Sequence, residues 1–153
     1  MRLIHRSFIL AFLVFSAAGC GKVDLESPPK IRYGKDICSE CGMIVSEQQF
    51  AAASVDQDGN MSKFDGIGCL ILHQAKQTSS AHRTWVRDYK TEEWIEVNNA
   101  FFVNAENLVT PMGFGLIAFS SEEAARQFVR DEGGSPVGLR DLPALVQKKI
   151  EHV

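Results

Sequence analysis

The two halves of the sequence present the same order of features: a turn that carries a methionine, then a strand pattern, then a helix pattern. The order begins at Cys41-Gly42-Met43 in the first half and at the Gly-rich turn 110–115 in the second. The two halves share the order of these elements but not the identity of their residues, so the internal repeat is weak. With 153 residues, of which 45% are hydrophobic, the chain can form one domain or two small lobes that share a core. We therefore expect an α+β fold with a pseudo-repeat.

Local patterns place the elements of the first half. Asp58-Gly59 is a strong hairpin signal, and it predicts two strands near 48–56 and 61–64. Asp65 is expected to cap a helix over about 66–77, whose apolar residues recur with helical spacing.

The remaining elements follow from the same kinds of signal. Thr84 to Tyr89 and Trp94 to Val103 are β-like and predict a second hairpin. Ser120-x-x-Glu123 has the pattern of a capping box, and Gly133-Gly134 is expected to end the helix it starts. A last helix is predicted from Leu142 to Glu151.

The composition excludes two classes of protein. Charged residues make up 23% of the chain, which is not the composition of a disordered protein. The formal net charge is -3, and no basic stripe is visible, so we expect no nucleic-acid partner.

The N-terminus has the features of a secretory signal. Arg2 and Arg6 form a short basic region, and the apolar run 9–15 is too short to span a membrane comfortably. Small residues then lead to Gly19-Cys20, which resembles a bacterial lipobox and implies cleavage after residue 19 with a lipid on Cys20. The alternative is an ordinary signal peptide cut near Ala18, which would leave Cys20 as an exposed thiol.

These features divide the chain into three parts. We expect a lipoprotein signal peptide over 1–19, a flexible tether over 20–33 that contains Pro28-Pro29, and a folded domain over 34–153. A lipidated Cys20 would anchor the protein to the periplasmic side of a bacterial membrane. The residue that follows Cys20 is Gly21 and not Asp, which resembles the sorting signal for the outer membrane.

The segment 38–43, Cys38-Ser39-Glu40-Cys41-Gly42-Met43, brings together two thiols and a thioether. Thiolates and thioethers are soft donors that favour Cu(I) over hard cations. Met43 could instead be a core residue, since methionine commonly fills irregular gaps. The cysteine pair alone is also compatible with a disulfide, a redox pair or a structural zinc site. A redox pair usually opens a helix, and a zinc site needs two more ligands with matched spacing.

Two further residues bear on this choice. Met112 lies in the Gly-rich turn of the second half, and the two methionine turns would meet at one end if the halves pair symmetrically. Cys69 lies in the predicted first helix, four residues before His73. A metal pair is possible there, but the sequence favours a small buried hydrophobic role for Cys69.

Several short motifs together resemble the NosL family. They are Cys41-Gly42-Met43, Phe64-Asp65-x-x-Gly68-Cys69, and Thr110-Pro111-Met112-Gly113 followed by a strand and Ser-Ser-Glu-Glu. The lipoprotein signal fits the same family, and the resemblance covers roughly residues 36–133. It implies a fold of two small ββα-type lobes that is related to an organomercurial lyase domain.

NosL proteins are copper-binding accessory lipoproteins of nitrous oxide reductase. The resemblance implies a Cu(I) chaperone and not an enzyme, with the reductase apoprotein and an associated membrane transporter complex as partners. Position by position, Cys41 and Met43 match the metal motif of the family, and Met112 matches its distal methionine. Cys38 ranks below them, as a helper ligand or a redox partner. The competing hypothesis is a thiol-disulfide oxidoreductase or lyase-like enzyme that uses Cys38 and Cys41.

Overall fold

The structure is a computed structural model that describes residues 24–78 and 81–151. The expected signal peptide over 1–19 and the expected lipid attachment at Cys20 lie outside these residues. No helix within the described ranges is long and apolar enough to cross a membrane.

The first lobe is a four-stranded antiparallel sheet with one helix, in the strand order β2-β1-β3-β4. Its elements are β1 (Ala52–Val55), β2 (Met61–Phe64), α1 (Ile67–Lys76), β3 (Arg83–Arg87) and β4 (Trp94–Glu96). The hairpin between β1 and β2 confirms the turn signal. The Asp56 carboxylate accepts the backbone N–H groups of Asp58 and Asn60 at 2.9 and 2.8 Å, and Gly59 has a φ of 86°.

The second lobe is a three-stranded antiparallel sheet with a helix, in the strand order β6-β5-β7. Its elements are β5 (Phe101–Asn104), β6 (Leu116–Phe119), α2 (Glu122–Glu132) and β7 (Ser135–Val137), and a final helix α3 (Leu142–Glu151) follows them. Each lobe therefore contains a β-hairpin pair followed by a helix, β1-β2-α1 and β5-β6-α2. The α+β fold of two ββα-type lobes is confirmed.

The two lobes share a core. Residues of α1 and β2, such as Leu70 and Phe64, belong to the same buried cluster as Leu116 of β6 and Val146 of α3. The sheets also meet where the N–H of Tyr89 donates to the Ala118 carbonyl at 2.8 Å. Because burial of apolar surface is the main driving force for folding, this common core fixes how the two lobes are placed relative to each other.

Two details of the predicted strands are wrong. The segment from Trp94 to Val103 is not one strand, because a single 3-10 turn over Val97–Asn99 interrupts it. The part before the turn belongs to the first sheet and the part after it to the second. Adjacent asparagines disfavour a continuous strand, and here they mark the passage between lobes. The short strand β7 was not predicted.

Both predicted helix caps are also wrong. Helix α2 is capped by Ser121 and not by Ser120, since the Ser121 hydroxyl accepts the N–H of Ala124 at 3.2 Å. The backbone N–H of Ser120 is bound instead to the Asp88 carboxylate. Helix α1 has Gly66 at its N-cap position with no side-chain cap bond. The carboxylate of Asp65 has a different partner, described below.

Candidate metal centre

A tight reverse turn brings Cys38 and Cys41 together. The N–H of Cys38 donates to the carbonyl of Met43 at 2.7 Å, and the N–H of Gly42 donates to the carbonyl of Cys38 at 3.1 Å. Gly42 has a φ of 75°, a left-handed conformation that glycine adopts without the steric cost of a side chain. The sequence thus encodes the turn locally, and the turn places both thiols at its tip.

Ion pairs hold this turn against the first lobe. The Asp36 carboxylate is buried and accepts the Lys63 ammonium of β2 at 2.6 Å. The Glu40 carboxylate is paired with Lys76 near the end of α1 and lies 3.6 Å from the His73 ring. The cysteine turn is therefore connected both to the edge strand β2 and to α1.

The start of α1 supplies two more donors. Asp65 lies just before the N-cap residue Gly66, and Cys69 lies in the first turn of α1. One donor atom from each of Cys38, Cys41, Asp65 and Cys69 lies within 4.8 Å of the others. We call these residues the four-donor cluster. The Cys41 thiol donates to Asp65 Oδ2 at 3.3 Å, and all three cysteines are free. The cluster combines three sulfur donors with one carboxylate in a space that one or two metal ions could share.

The three thiols differ in acidity because they differ in hydrogen bonding and burial. The Cys69 thiol donates to the Cys38 sulfur, and together with nearby backbone N–H groups it lowers the pKa of Cys38 to about 6. Burial raises the pKa of Cys41 to about 11, and the adjacent Asp65 carboxylate adds to this effect. The pKa of Cys69 is raised, first by its bond to Cys38 and then by burial. Cys38 is therefore the first thiolate of the cluster.

The cluster leaves one buried oxygen without a protein partner. Asp65 is 3% exposed, and its Oδ1 accepts no hydrogen bond from any described residue. A buried polar atom without a partner usually costs about 1–3 kcal/mol. An unpartnered carboxylate oxygen beside three thiols is the arrangement that a bound cation would stabilise.

The two predicted methionine donors lie at the surface. Met43 is 53% exposed, so the alternative of a core role for Met43 is wrong. Met112 is 50% exposed and has a φ of 59°, which is uncommon for a residue with a side chain. Such a conformation typically costs about 1–3 kcal/mol and persists only where the surroundings impose it.

The turn that carries Met112 packs against the start of α1. Pro111 lies next to Gly66, so that a Cβ atom at Gly66 would be 3.8 Å from the Pro111 Cβ. The Phe114 ring lies directly on Gly68. Because Gly66 follows Asp65, the Met112 turn and the cysteine turn both border the same end of α1.

The structure brings Cys38 and Cys41 together, and adds Asp65 and Cys69, which the sequence analysis did not select as donors. Cys69 is buried as expected, but its thiol belongs to the cluster. His73 is not part of it. The spacing Asp65-x-x-Gly68-Cys69 was a usable signal, since a residue just before a helix and one in its first turn lie at the same end of that helix. Binding by Met43 and Met112 stays a prediction.

The fold and the cluster define a class: small α+β proteins with a thiol-rich candidate metal centre at the start of a helix. Comparison with known proteins identifies the family within this class. A model of the NosL family matches residues 31–146, which is most of the chain. The chain therefore belongs to the NosL family.

A solved structure of the family has the same fold. The crystal structure of the copper chaperone NosL from Shewanella denitrificans matches with a TM-score of 0.58 and 19% sequence identity. The match covers 72% of this chain and 93% of that one. No curated protein sequence matches this chain.

Proposed function

We propose that this protein is a membrane-tethered periplasmic Cu(I) chaperone that delivers copper for metal-centre assembly of nitrous oxide reductase, and that it is not an enzyme. The observation that carries the proposal is the meeting of three thiols and two methionine-bearing turns at the start of α1. Membership of the NosL family supports a role in copper handling.

The ligands proposed for copper are Cys41, Met43 and Met112, with Cys38 as a secondary ligand. Cys41 is the partly exposed member of the four-donor cluster, and the two methionines are about half exposed. Sulfur donors of this kind select Cu(I), whereas Asp65 supplies a hard donor that adds little to Cu(I) affinity. The partly accessible sulfur atoms would allow a partner protein to take the ion by ligand exchange.

The burial of Cys38 argues against the competing enzymatic function. A thiol-disulfide oxidoreductase needs its low-pKa thiolate within reach of the substrate disulfide. The low-pKa thiol here is Cys38, which is only 2% exposed. Cys41 is more accessible, but its pKa is raised to about 11, so it is a poor nucleophile at neutral pH.

The client and the location rest on the family resemblance. We propose that a lipid on Cys20 holds the domain at the periplasmic face of the membrane, in the outer membrane if Gly21 directs sorting. The link between Cys20 and the domain would be shorter than the segment 20–33, since Glu26 is paired with Arg83 and Ile31 is buried in the core. From this anchor the domain would meet the reductase apoprotein and the associated transporter complex.

The test is an anaerobic competition for Cu(I) between the reduced protein and a colorimetric chelator. Cys41→Ser should abolish tight binding, because the thiolate contributes charge as well as a soft donor. Met43→Leu and Met112→Leu should each weaken binding about tenfold or more, since leucine keeps the volume but removes the donor. Met61→Leu is the matched control, because Met61 is also exposed but lies on β2, and it should leave the affinity unchanged.

Thermal melts of the same variants separate loss of metal from loss of fold, and all three leucine variants should melt close to the wild type. Equal Cu(I) affinity in the wild type, Met43→Leu and Met112→Leu would remove the methionine part of the proposal. Stabilisation of the fold by Zn(II) with no binding of Cu(I) would remove the copper assignment itself.

A further inference from the structure

Two isoleucines lie exposed side by side next to the cysteine turn. Ile37 and Ile44 form an antiparallel bridge, and the backbone hydrogen bonds on either side of it join the two arms of a short ribbon. In such a non-hydrogen-bonded pair the two side chains lie close together on one face. Ile37 is 55% exposed and Ile44 is 52% exposed. We call these two residues the isoleucine pair.

The ribbon has one buried face, and the isoleucine pair is on the other. Side chains alternate between the two faces of an extended chain, and Asp36, Cys38 and Val45 are the buried ones. The solvent face of an antiparallel ribbon normally carries polar residues. The turn of Met112, which borders the same end of α1, also exposes an apolar residue, since Val109 is 89% exposed. Contact with another molecule would explain apolar side chains at these positions, whereas packing of the domain does not.

The charges exposed beside the isoleucine pair are positive. Arg32 and Lys35 are exposed, whereas the two carboxylates within residues 32–45 are almost buried and ion-paired. The side chain of Asp36 is 4% exposed and that of Glu40 is 9% exposed. The whole chain has a formal net charge of -3, so this surface has the sign opposite to the rest of the protein. A partner that fits it would carry carboxylates around an apolar face.

The N-terminal segment approaches the first lobe from its other end. Arg83 begins β3 at the end of the sheet away from the cysteine turn, and Glu26 is paired with it. The chain then runs along β3 to Tyr33, whose hydroxyl accepts a hydrogen bond from Arg87 at 3.0 Å. The five residues of β3 span roughly 17 Å. A lipid on Cys20 would therefore hold this far end toward the membrane and leave the isoleucine pair on the opposite side.

Two other occupants of this surface fit less well than a partner protein. An anionic membrane attracts cations and apolar side chains, but the anchor would place the membrane at the far end of the lobe. A second copy of the chain would meet this surface with the same surface, because a twofold contact is self-complementary. Lys35 of one copy would then face the cations of the other, and like charges across an interface oppose association.

We propose that the isoleucine pair, with Lys35 beside it, is the docking surface for the protein that accepts copper, and that this partner presents an apolar face rimmed by carboxylates. This inference rests on the proposed function and deepens it. Docking there would bring the partner against the ribbon that carries the cysteine turn, with neither isoleucine acting as a ligand.

The experiment measures binding of the Cu(I)-loaded Cys20→Ser protein to two immobilised partners by biolayer interferometry. The partners are the apoprotein of nitrous oxide reductase and the detergent-solubilised transporter complex. Ile37→Thr/Ile44→Thr should weaken binding about tenfold or more, since threonine keeps the β-branched shape but adds a hydroxyl that must be desolvated. Lys35→Glu should slow association at low salt, and the difference should shrink as the salt concentration rises.

Matched controls make the same kinds of change elsewhere. Phe101→Thr alters an exposed apolar residue at the end of the second sheet away from the Met112 turn, and Arg140→Glu reverses an exposed charge before α3. Both should bind the partner like the parent protein. The anaerobic Cu(I) competition should give the same affinity for every variant, which shows that the cysteine turn is intact.

The possible results separate this inference from the proposed function. Unchanged binding of Ile37→Thr/Ile44→Thr, or binding of the parent protein to neither partner, overturns the docking surface, while the Cu(I) competition still decides copper binding. Unchanged association of Lys35→Glu overturns the acidic rim of the partner. Binding to phosphatidylglycerol–phosphatidylethanolamine vesicles that depends on the isoleucine pair would make this a membrane contact. A dimer in analytical ultracentrifugation that the threonine variant loses would make it a contact between copies, and either result overturns the inference.

Discussion

Replacement of Gly68 by alanine should disturb the candidate metal centre without touching a donor. Gly68 precedes Cys69 in the first turn of α1, and the Phe114 ring covers it. A Cβ atom at this position would lie 2.0 Å from Phe114 Cδ2 and 2.3 Å from Phe114 Cγ. Phe114 directly follows the turn that contains Met112, so displacement of the ring also displaces that turn.

The expected loss of stability follows from two opposed effects. Alanine is favoured over glycine inside a helix by about 0.8–1.0 kcal/mol. Overpacking a well-packed core costs about 1–3 kcal/mol, and contacts this short at the base of the ring belong at the upper end. The net loss should therefore be about 2 kcal/mol, or roughly 6–10 °C in Tm for a domain of this size.

Urea unfolding and thermal melts measure this loss, and the Cu(I) competition measures its effect on the centre. Gly66→Ala is the control, because its Cβ atom would meet Pro111 at 3.8 Å, which is an ordinary contact. The control should change the free energy of unfolding by less than about 1 kcal/mol. In a Phe114→Leu background the cost of Gly68→Ala should fall, with a coupling energy of about 0.5–3 kcal/mol.

Two results would refute the reasoning. Gly68→Ala that is as stable as the wild type would mean that the Phe114 ring does not lie on the helix as described. Additive effects of Gly68→Ala and Phe114→Leu would mean that the two residues are not in contact.

Three further predictions concern the cap, the cysteine turn and the anchor. Ser121→Ala should lower the free energy of unfolding by about 0.5–2 kcal/mol, whereas Ser121→Asp should keep most of the wild-type stability. Equal stability of Ser121→Ala and the wild type in urea unfolding would contradict the observed cap. The pKa of Asp36 is lowered by backbone and Lys63 hydrogen bonds, so its stabilising contribution should be complete above the ordinary value of 3.8 and be lost as the pH falls below it. In acid titrations of stability, Asp36→Asn should show a shallower loss than the wild type, and parallel curves would count against this. Cys20→Ser should release the protein from membranes, and its persistence in salt-washed membranes would contradict the lipid anchor.

The sequence alone determined most elements of the fold, because strands, turns and helices leave local patterns. The hairpin at Asp58-Gly59 and the helix over Leu142–Glu151 lie where the sequence placed them, and a strand follows the Gly-rich turn 110–115 as expected. Side-chain periodicity and turn chemistry act over a few residues, so they can be read without knowledge of the fold. The two errors at helix caps are shifts of a single residue, which local signals do not resolve.

Only the tertiary structure decided the composition of the candidate centre. Cys38 and Cys41 are close in sequence. Asp65 and Cys69 reach them because ion pairs of Asp36 and Glu40 hold the cysteine turn against the first lobe. The sequence shows which residues carry thiols but not the distances between their sulfur atoms, since a contact between distant segments depends on how whole elements pack. The asparagines between Trp94 and Val103 weaken the strand pattern locally, but they do not show that the chain crosses from one sheet to the other. The shared core of both lobes sets where that segment must turn.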